Sequence, residues 1–140
     1  MSLYVLDSDH LSLYQRGHEP LGQRLLTIPP EQIAITVISA EELIRGRLAQ
    51  IRKASQPQER VYAYYWFTKT LEFLRDFMVL SYDTQAEAYF QSLFAQRIRI
   101  GTQDLKIAAI VLSKQAVLVT RNHQDFERVQ GLALEDWSSI

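Results

Sequence analysis

Four acidic side chains stand shortly after apolar segments, at widely separated places in the sequence. They are Asp7, Glu42, Asp104 and Asp125, and the neutral oxygen side chains Ser39 and Asn122 occur beside them. Two carboxylates ~4 Å apart repel each other by about 4 kcal/mol at an effective dielectric constant of ~20, so their convergence would require a cation. Carboxylate and hydroxyl oxygens suit Mg²⁺ or Mn²⁺ better than zinc. This combination is typical of metal-assisted phosphodiester hydrolysis.

Most of these residues also have a simpler structural explanation when they are taken alone. Ser39 and Glu42 have the spacing of a capping box, which predicts that Ser39 is the N-cap of the following helix. Asp104 lies in a predicted first turn, where an acid offsets the helix dipole by ~0.3–1 kcal/mol. Asp9 is the predicted N-cap of the first helix. Asp7 is harder to explain in this way, because a carboxylate directly after an apolar strand is partly buried and requires a partner.

Short apolar runs alternate with longer segments of helical character along the chain. The predicted strands are residues 3–6, 33–36, 78–80, 117–119 and 132–134. This alternation predicts βαβ units and one α/β domain over residues 1–140, a three-layer α/β/α sandwich with a short, mainly parallel five-stranded sheet. Ligands bind beyond the carboxyl ends of such strands, and this is the edge at which we expect the acidic residues to gather.

The helix predicted over residues 59–75 is apolar nearly all round, with aromatic side chains concentrated between Tyr62 and Phe67. A helix of this kind is usually covered on more than one side. We therefore expect core packing, a homodimer face or a partner groove here, rather than a platform for stacked bases.

Composition and charge exclude several classes of protein. The 140 residues include 15 Lys and Arg against 16 Asp and Glu, a formal net charge of −1, which excludes binding to nucleic acid by bulk charge. Arg45, Lys106 and Arg121 flank the acidic residues and are candidates for local contacts with RNA phosphates. The absence of cysteine removes disulfides and thiolate metal sites. With no apolar run of membrane-spanning length and no signal-peptide pattern, the chain is expected to be soluble and cytoplasmic.

Four separated segments resemble the PIN-domain ribonucleases, and among them the VapC-type toxins of bacterial toxin–antitoxin pairs. The segments are VLDSDHLS at 5–12, ITVISAEELIRG at 35–46, IGTQDLKIAAIVL at 100–112 and VLVTRNHQDFERVQGLALEDW at 117–137. The resemblance implies that Asp7, Glu42 and Asp104 are metal ligands and that Ser39 supports them. It also implies a Mg²⁺- or Mn²⁺-dependent endoribonuclease toxin, a homodimer, a cognate antitoxin and an RNA substrate, commonly tRNA.

The chain departs from the pattern of that family at the position of the fourth acid. Many members carry an acid two residues after the threonine that ends the fourth strand, and Asn122 occupies that position here. Asn122 retains an oxygen ligand without the charge. Asp125, three residues further on, is the alternative candidate for direct or water-mediated coordination. The sequence leaves both one and two bound metal ions as alternatives.

Two other functions are compatible with these residues. In an Asp-nucleophile phosphohydrolase, Asp7 would attack the phosphorus and Asp9 would act as acid and base, but Glu42 would then have no role. In a non-catalytic interaction domain, the acids would hold a structural metal ion and the aromatic helix would contact a partner. The three histidines of the chain have no mutual spacing typical of a metal-ligand set.

Overall fold

The computed structural model describes residues 2–139 and contains a five-stranded sheet in which every neighbouring pair of strands is parallel. The strands are β1 Tyr4–Leu6, β2 Ile33–Thr36, β3 Met78–Leu80, β4 Val117–Val119 and β5 Ala133–Glu135. Their order across the sheet is β3-β2-β1-β4-β5. The predicted parallel sheet is therefore confirmed, with its last strand one residue later than expected.

Helices cover both faces of this sheet, which confirms the predicted three-layer arrangement. The helices are α1 Ser8–Gln15, α2 Glu19–Leu26, α3 Val37–Lys53, α4 Pro57–Arg75, α5 Thr84–Ala95, α6 Thr102–Ser113 and α7 His123–Phe126, with a 3-10 turn at Pro30–Gln32. Buried side chains of α5, α6 and α7 pack on one face of the sheet. Those of α1, α2 and α4 pack on the other face. Helix α3 contributes to both cores, through Ile38 on the first and Leu43 on the second.

Alternation along each strand sends neighbouring side chains to opposite faces of the sheet. Val5 of β1 and Ala34 of β2 belong to the core formed with α5 and α6. Leu6 and Ile35, the next residues along, belong to the core formed with α1, α2 and α4. Strands that are buried on both faces need apolar residues at every position, which is why they stand out in the sequence as short continuous apolar runs.

The strand order places the carboxyl ends of β1 and β4 where the topology switches direction. The chain adds β2 and then β3 on one side of β1, and returns to add β4 and then β5 on the other side. Connections that leave adjacent strands in opposite directions open a crevice at this edge, and parallel sheets bind their ligands in such crevices. Asp7 directly follows β1 and therefore lies at the crevice.

Two of the predicted helix caps are wrong. Thr36, and not Ser39, is the N-cap of α3, because its side chain accepts a hydrogen bond from the Ser39 backbone N–H at 3.1 Å. Asp7, and not Asp9, caps α1 by accepting from the His10 backbone N–H at 2.8 Å. Both helices begin directly where a strand ends, so the residue at the junction is the cap and the residue chosen from the sequence lies inside the first turn.

Helix α4 is covered on one side only within the described part of the chain, and a homodimer face or a partner groove on its other side stays a prediction. Ala63, Thr70 and Leu74 are buried, whereas Val61 and Tyr62 are 72% and 64% exposed. The helix therefore presents an apolar face to solvent. No helix between residues 2 and 139, this one included, has both the length and the apolar character needed to cross a membrane.

Candidate active site

Asp7 is held firmly between β1 and α1. Its backbone N–H donates to the Val119 carbonyl of β4 at 3.0 Å. This bond extends the pairing of β1 with β4 by one residue. Its Oδ1 atom accepts the hydrogen bond from His10 that caps α1. Because the side chain is also buried, the carboxylate is fixed at the crevice rather than free to turn into solvent.

Glu42 is tied to the start of α1 by Ser8. The Ser8 hydroxyl donates to Glu42 Oε1 at 2.5 Å and hydrogen-bonds with Ser39 Oγ at 2.9 Å. Ser39 is fully buried and precedes Glu42 by one turn of α3. The contact that holds Glu42 therefore joins residues 34 positions apart. The predicted capping box is wrong, since its hydroxyl residue is not the N-cap.

Asp104 experiences the combined charge of the other acids. It lies in the first turn of α6 and is partly buried. Burial, followed by the negative charges of Glu42, Asp7 and Asp125, raises the pKa of Asp104 to about 6 from its ordinary value of 3.8. Within residues 2–139, Asp104 forms no ion pair with Lys or Arg that would offset this effect. The structure thus brings all four predicted acids into one negatively charged region.

The acidic side chains are not closed around a single point. Among the described residues, one group of three side chains places its potential ligand atoms within 4.8 Å of one another. The group consists of Asp7, Asp9 and His10. Glu42 and Asp104 stand outside that group, and Glu42 is turned onto Ser8. Repulsion between like charges favours this separation.

Asp9 and His10 are already engaged by other groups. Arg121 donates to the Asp9 carboxylate from Nε at 2.7 Å and from Nη2 at 2.9 Å, and these bonds lower the pKa of Asp9. The His10 ring is fully buried, and its Nε2 atom accepts from the Trp137 backbone N–H at 3.2 Å. Its Nδ1 atom lies 3.4 Å from Asp7 Oδ1 and has no hydrogen-bond partner among the described residues.

The donor atoms at this edge of the sheet fit a hard divalent cation. The four acids offer oxygen atoms alone, and the raised pKa of Asp104 reflects its burial together with a local excess of negative charge. Cations of the Mg²⁺ type prefer carboxylate oxygens and offset such an excess. Zinc prefers histidine and cysteine, but the chain has no cysteine, and the Nε2 atom of His10 accepts a hydrogen bond from the Trp137 backbone N–H. The region is thus compatible with an oxygen-ligated divalent metal.

The three basic residues predicted to contact RNA lie in different settings. Arg121 is engaged in the two-bond ion pair described above. Arg45 pairs on the protein surface with Glu41, one turn earlier in α3. Lys106 lies in α6, where its charge acts on Glu87 of α5. Their contact with RNA stays a prediction.

Asn122 and Asp125 form a closed pair after β4. Asn122 Oδ1 accepts from the Asp125 backbone N–H at 3.2 Å and so caps α7, while Asn122 Nδ2 donates to Asp125 Oδ2 at 3.0 Å. Arg128 lies 3.7 Å from the other carboxylate oxygen of Asp125. The charge that Asn122 lacks is therefore present nearby on Asp125, and it reaches Asp104. A ligand role for either residue stays a prediction.

The sequence reasoning missed Ser8 and the contact of His10 with Asp7. The position of Ser8, directly after an acid at a strand end, is a local signal that could have singled it out. Its contact with Glu42 could not be foreseen, because it depends on how α1 and α3 pack against each other.

Comparison with known proteins identifies the fold family. The family model described as PIN domain matches residues 4–132 of the chain. The chain belongs to the PIN-domain family. Among similar proteins is the tRNA(fMet)-specific endonuclease VapC of Salmonella typhimurium, 34% identical over 110 residues, which are 76% of this chain and 76% of that protein. The protein of the same name from Shigella flexneri is 30% identical over 143 residues, covering 99% of this PIN domain and 100% of its relative.

Solved structures agree with this assignment. The crystal structure of DNA-bound VapBC from Salmonella typhimurium superposes on this PIN domain with a TM-score of 0.77 at 26% identity, over 98% of this chain and 99% of the other. VapBC-1 from nontypeable Haemophilus influenzae gives a TM-score of 0.72 at 26% identity, with the same coverage. The resemblance to VapC-type PIN domains seen in the four sequence segments is confirmed.

Proposed function

We propose that this PIN domain is a metal-dependent endoribonuclease and acts as the toxin of a toxin–antitoxin pair. The observation that carries the proposal is the crowding of four acids at the carboxyl edge of the sheet, where burial and like charges raise the pKa of Asp104 to about 6. A site with this much negative charge repels a phosphate backbone unless a cation lies between them. The names of the relatives, which are endonucleases acting on tRNA, support RNA as the substrate class.

Asp7, Glu42 and Asp104 are the proposed ligands of Mg²⁺ or Mn²⁺, with Asp125 as a direct or water-mediated fourth. A divalent ion bound there supplies the Lewis acidity that activates water and offsets the charge developing on the phosphorus. Asp7 contributes a carboxylate whose position is set by the cap of α1. Asp104 contributes a carboxylate whose ionised form is disfavoured by burial and by neighbouring charges, and which therefore gains from a nearby cation.

Neighbouring side chains orient these acids. Ser8 donates to Glu42 and hydrogen-bonds with Ser39, so the two helices that carry the acids share one hydrogen-bonded contact. The backbone N–H of His10 donates to Asp7 Oδ1 at 2.8 Å, an arrangement that holds a carboxylate ligand in place. Two carboxylates of the proposed set thus have a supporting partner.

The relatives also support specific partners. We propose a tRNA as substrate, since two relatives are named tRNA(fMet)-specific endonucleases, and a cognate antitoxin as inhibitor, since the similar structures are VapBC assemblies. The exposed apolar face of α4, which includes Val61, Tyr62 and Tyr65, is the proposed contact of a homodimer. A tRNA substrate places the proposed reaction in the cytoplasm.

The alternative reading as an Asp-nucleophile phosphohydrolase receives no support from the site. That chemistry requires Asp9 to exchange protons with the substrate. Asp9 instead accepts two hydrogen bonds from Arg121, which lower its pKa. Asp7 accepts the bond that caps α1, which favours a fixed ligand over a moving nucleophile.

The proposal is tested by cleavage of a tRNA pool with the purified chain in Mg²⁺, in Mn²⁺ and in EDTA. We expect cleavage with either metal, none in EDTA, and a loss of about 100-fold or more in Asp7→Asn and in Glu42→Gln. Asp76→Asn is the matched control, because Asp76 is an exposed acid at the far end of α4. We expect it to cleave at the unmodified rate.

Two results would contradict parts of this proposal. Full cleavage by Asp7→Asn would exclude that residue as an essential ligand. If the unmodified chain failed to cleave RNA while Mg²⁺ still raised its unfolding temperature, the non-catalytic interaction domain would be the better account.

A further inference from the structure

A polar groove of about 580 Å³ runs from the acidic region along α1 and α3. Ser8, Asp9 and Glu42 line the end that belongs to the acidic region. Further along, the groove is lined by side chains that the proposed chemistry leaves without a role: Ser12, Gln15, Arg16, Arg47 and Gln50. The walls of the groove therefore carry carboxylates and two guanidinium groups.

Arg47 is fixed in this groove by three hydrogen bonds. Its Nε donates to Thr70 Oγ1 at 2.9 Å, its Nη1 to Gln50 Oε1 at 3.1 Å, and its Nη2 to Gln15 Oε1 at 3.3 Å. The guanidinium carbon also lies 5.1 Å from the ring centroid of Trp66, so the plane is supported by an aromatic ring.

The hydroxyl that anchors Arg47 is shared by three helices. Thr70 of α4 is fully buried, and it accepts from Gln15 of α1 at 3.0 Å as well as from Arg47 of α3. A charged side chain held from three helices has lost its rotational freedom before any ligand arrives. Such preorganisation is typical of a binding group and is more than a solvated surface charge requires.

The positive charge of Arg47 has no acidic partner. No ion pair between Arg47 and a carboxylate occurs within residues 2–139. Arginine carries five N–H donors, and the three bonds above leave two of them for a ligand. A planar guanidinium with free donors matches the oxygens of a phosphate. Arg16, which is exposed and also lines the groove, adds a second positive charge.

We propose that this groove binds the RNA strand on one side of the cleaved bond, with Arg47 as a fixed contact to a phosphate. The inference rests on the proposed ribonuclease function, because the acids at the end of the groove define where the strand is cut. Glu42 and Arg47 are five residues apart on α3, a rise of about 7.5 Å at ~1.5 Å per residue. At ~3.4 Å per nucleotide in a stacked strand, and more in an extended one, this rise spans one or two nucleotides, so the contacted phosphate is one or two linkages from the cleaved one.

The test measures binding of a fluorescent single-stranded RNA of about 10 nucleotides by anisotropy over a range of salt concentrations. An Asp104→Asn background in Mg²⁺ keeps the RNA intact. We expect Arg47→Gln to weaken binding about tenfold at low salt and to reduce the slope of log Kd against log salt by about 0.7. Arg52→Gln removes the same charge from the exposed end of α3 and is expected to leave the slope unchanged.

Neutral methylphosphonate linkages, placed one at a time along the RNA, locate the contact. A neutral linkage one or two positions from the cleavage site should weaken binding to the parent protein but not to Arg47→Gln. The inference is overturned if Arg47→Gln and Arg52→Gln have the same slope of log Kd against log salt. It is also overturned if every neutral linkage weakens binding equally in the parent protein and in Arg47→Gln. If Arg47→Gln does not fold, Arg16→Gln is used instead, and an unchanged slope there overturns the inference equally.

The two proposals fail in different ways. Cleavage by the unmodified chain, with Arg47→Gln binding like Arg52→Gln, leaves the ribonuclease proposal intact and overturns the groove. If one neutral linkage is coupled to Arg47 but the unmodified chain does not cleave RNA, the groove is supported as an RNA site and the ribonuclease proposal is contradicted.

Discussion

Replacing Asp104 by Asn is expected to stabilise the metal-free protein at neutral pH while removing its proposed activity. The folded chain holds the pKa of this carboxyl at about 6, against 3.8 ordinarily, because of burial and the charges of Glu42, Asp7 and Asp125. An acid with a raised folded pKa binds its proton more tightly in the folded state. Its ionisation therefore destabilises the fold progressively as pH rises from ~3.8 through ~6.

The size of this effect follows from the two pKa values. Their difference corresponds to at most about 3 kcal/mol at ~1.4 kcal/mol per pH unit, and partial exposure of the side chain reduces this to about 1–2 kcal/mol. Loss of the favourable contact between an acid and the N-terminus of α6 subtracts ~0.3–1 kcal/mol. The net gain for Asp104→Asn is then about 1 kcal/mol above pH 7, or about 4 °C in unfolding temperature.

Thermal unfolding of the unmodified chain and of Asp104→Asn in EDTA, at pH 4 and at pH 7.5, checks this expectation. The unfolding temperature of Asp104→Asn should be higher at pH 7.5 only. Glu19→Gln is the matched control, since it removes an exposed first-turn acid from α2 and should give no gain at either pH. Mg²⁺ should raise the unfolding temperature of the unmodified chain and have a smaller effect on Asp104→Asn. An equal gain at both pH values, or a loss of stability at pH 7.5, would show that burial and repulsion among the acids do not raise this pKa.

Two further predictions concern the elements around the site. Thr36→Ala removes the cap of α3 and leaves the Ser39 N–H without its acceptor, so urea denaturation should show a free energy of unfolding lower by about 1–2 kcal/mol. Thr36→Ser should restore most of this stability. An unchanged denaturation midpoint in Thr36→Ala would refute the cap. Arg121→Gln should let the pKa of Asp9 rise toward its ordinary value, because the hydrogen bond from Arg121 is the main cause of its lowering. An NMR pH titration of Asp9 measures this change. Since that pair is exposed, the free energy of unfolding should change by less than about 1 kcal/mol; an Asp9 pKa that stays low would point to another cause.

Sequence reasoning predicted the sheet and the location of the acids well. The three central strands β1, β2 and β4 are short and buried on both faces, so their apolar runs are a local signal that survives without knowledge of packing. Parallel strands end at a common edge, and this rule alone placed Asp7, Glu42 and Asp104 in one region. The family resemblance added roles for these residues that spacing could not supply.

The helix caps were less predictable because adjacent residues compete for the same position. Thr36 and Ser39 are both good N-caps, and a capping-box spacing favoured the wrong one. Which residue caps depends on where the strand ends, and this is set by pairing with neighbouring strands. The same competition decided between Asp7 and Asp9.

The amino-acid order by itself determined the alternation of strands and helices, the edge at which the acids meet, and the apolar character of α4. Tertiary packing decided that α4 is exposed on one face, that Ser8 holds Glu42, and that Arg47 meets Thr70 and Gln15. The contacts of Ser8 with Glu42 and of Arg47 with its two partners join residues that are 23 to 34 positions apart and lie on different helices. Periodicity shows which face of a helix is apolar, but the partner of a polar side chain depends on the distance and angle at which two helices pack.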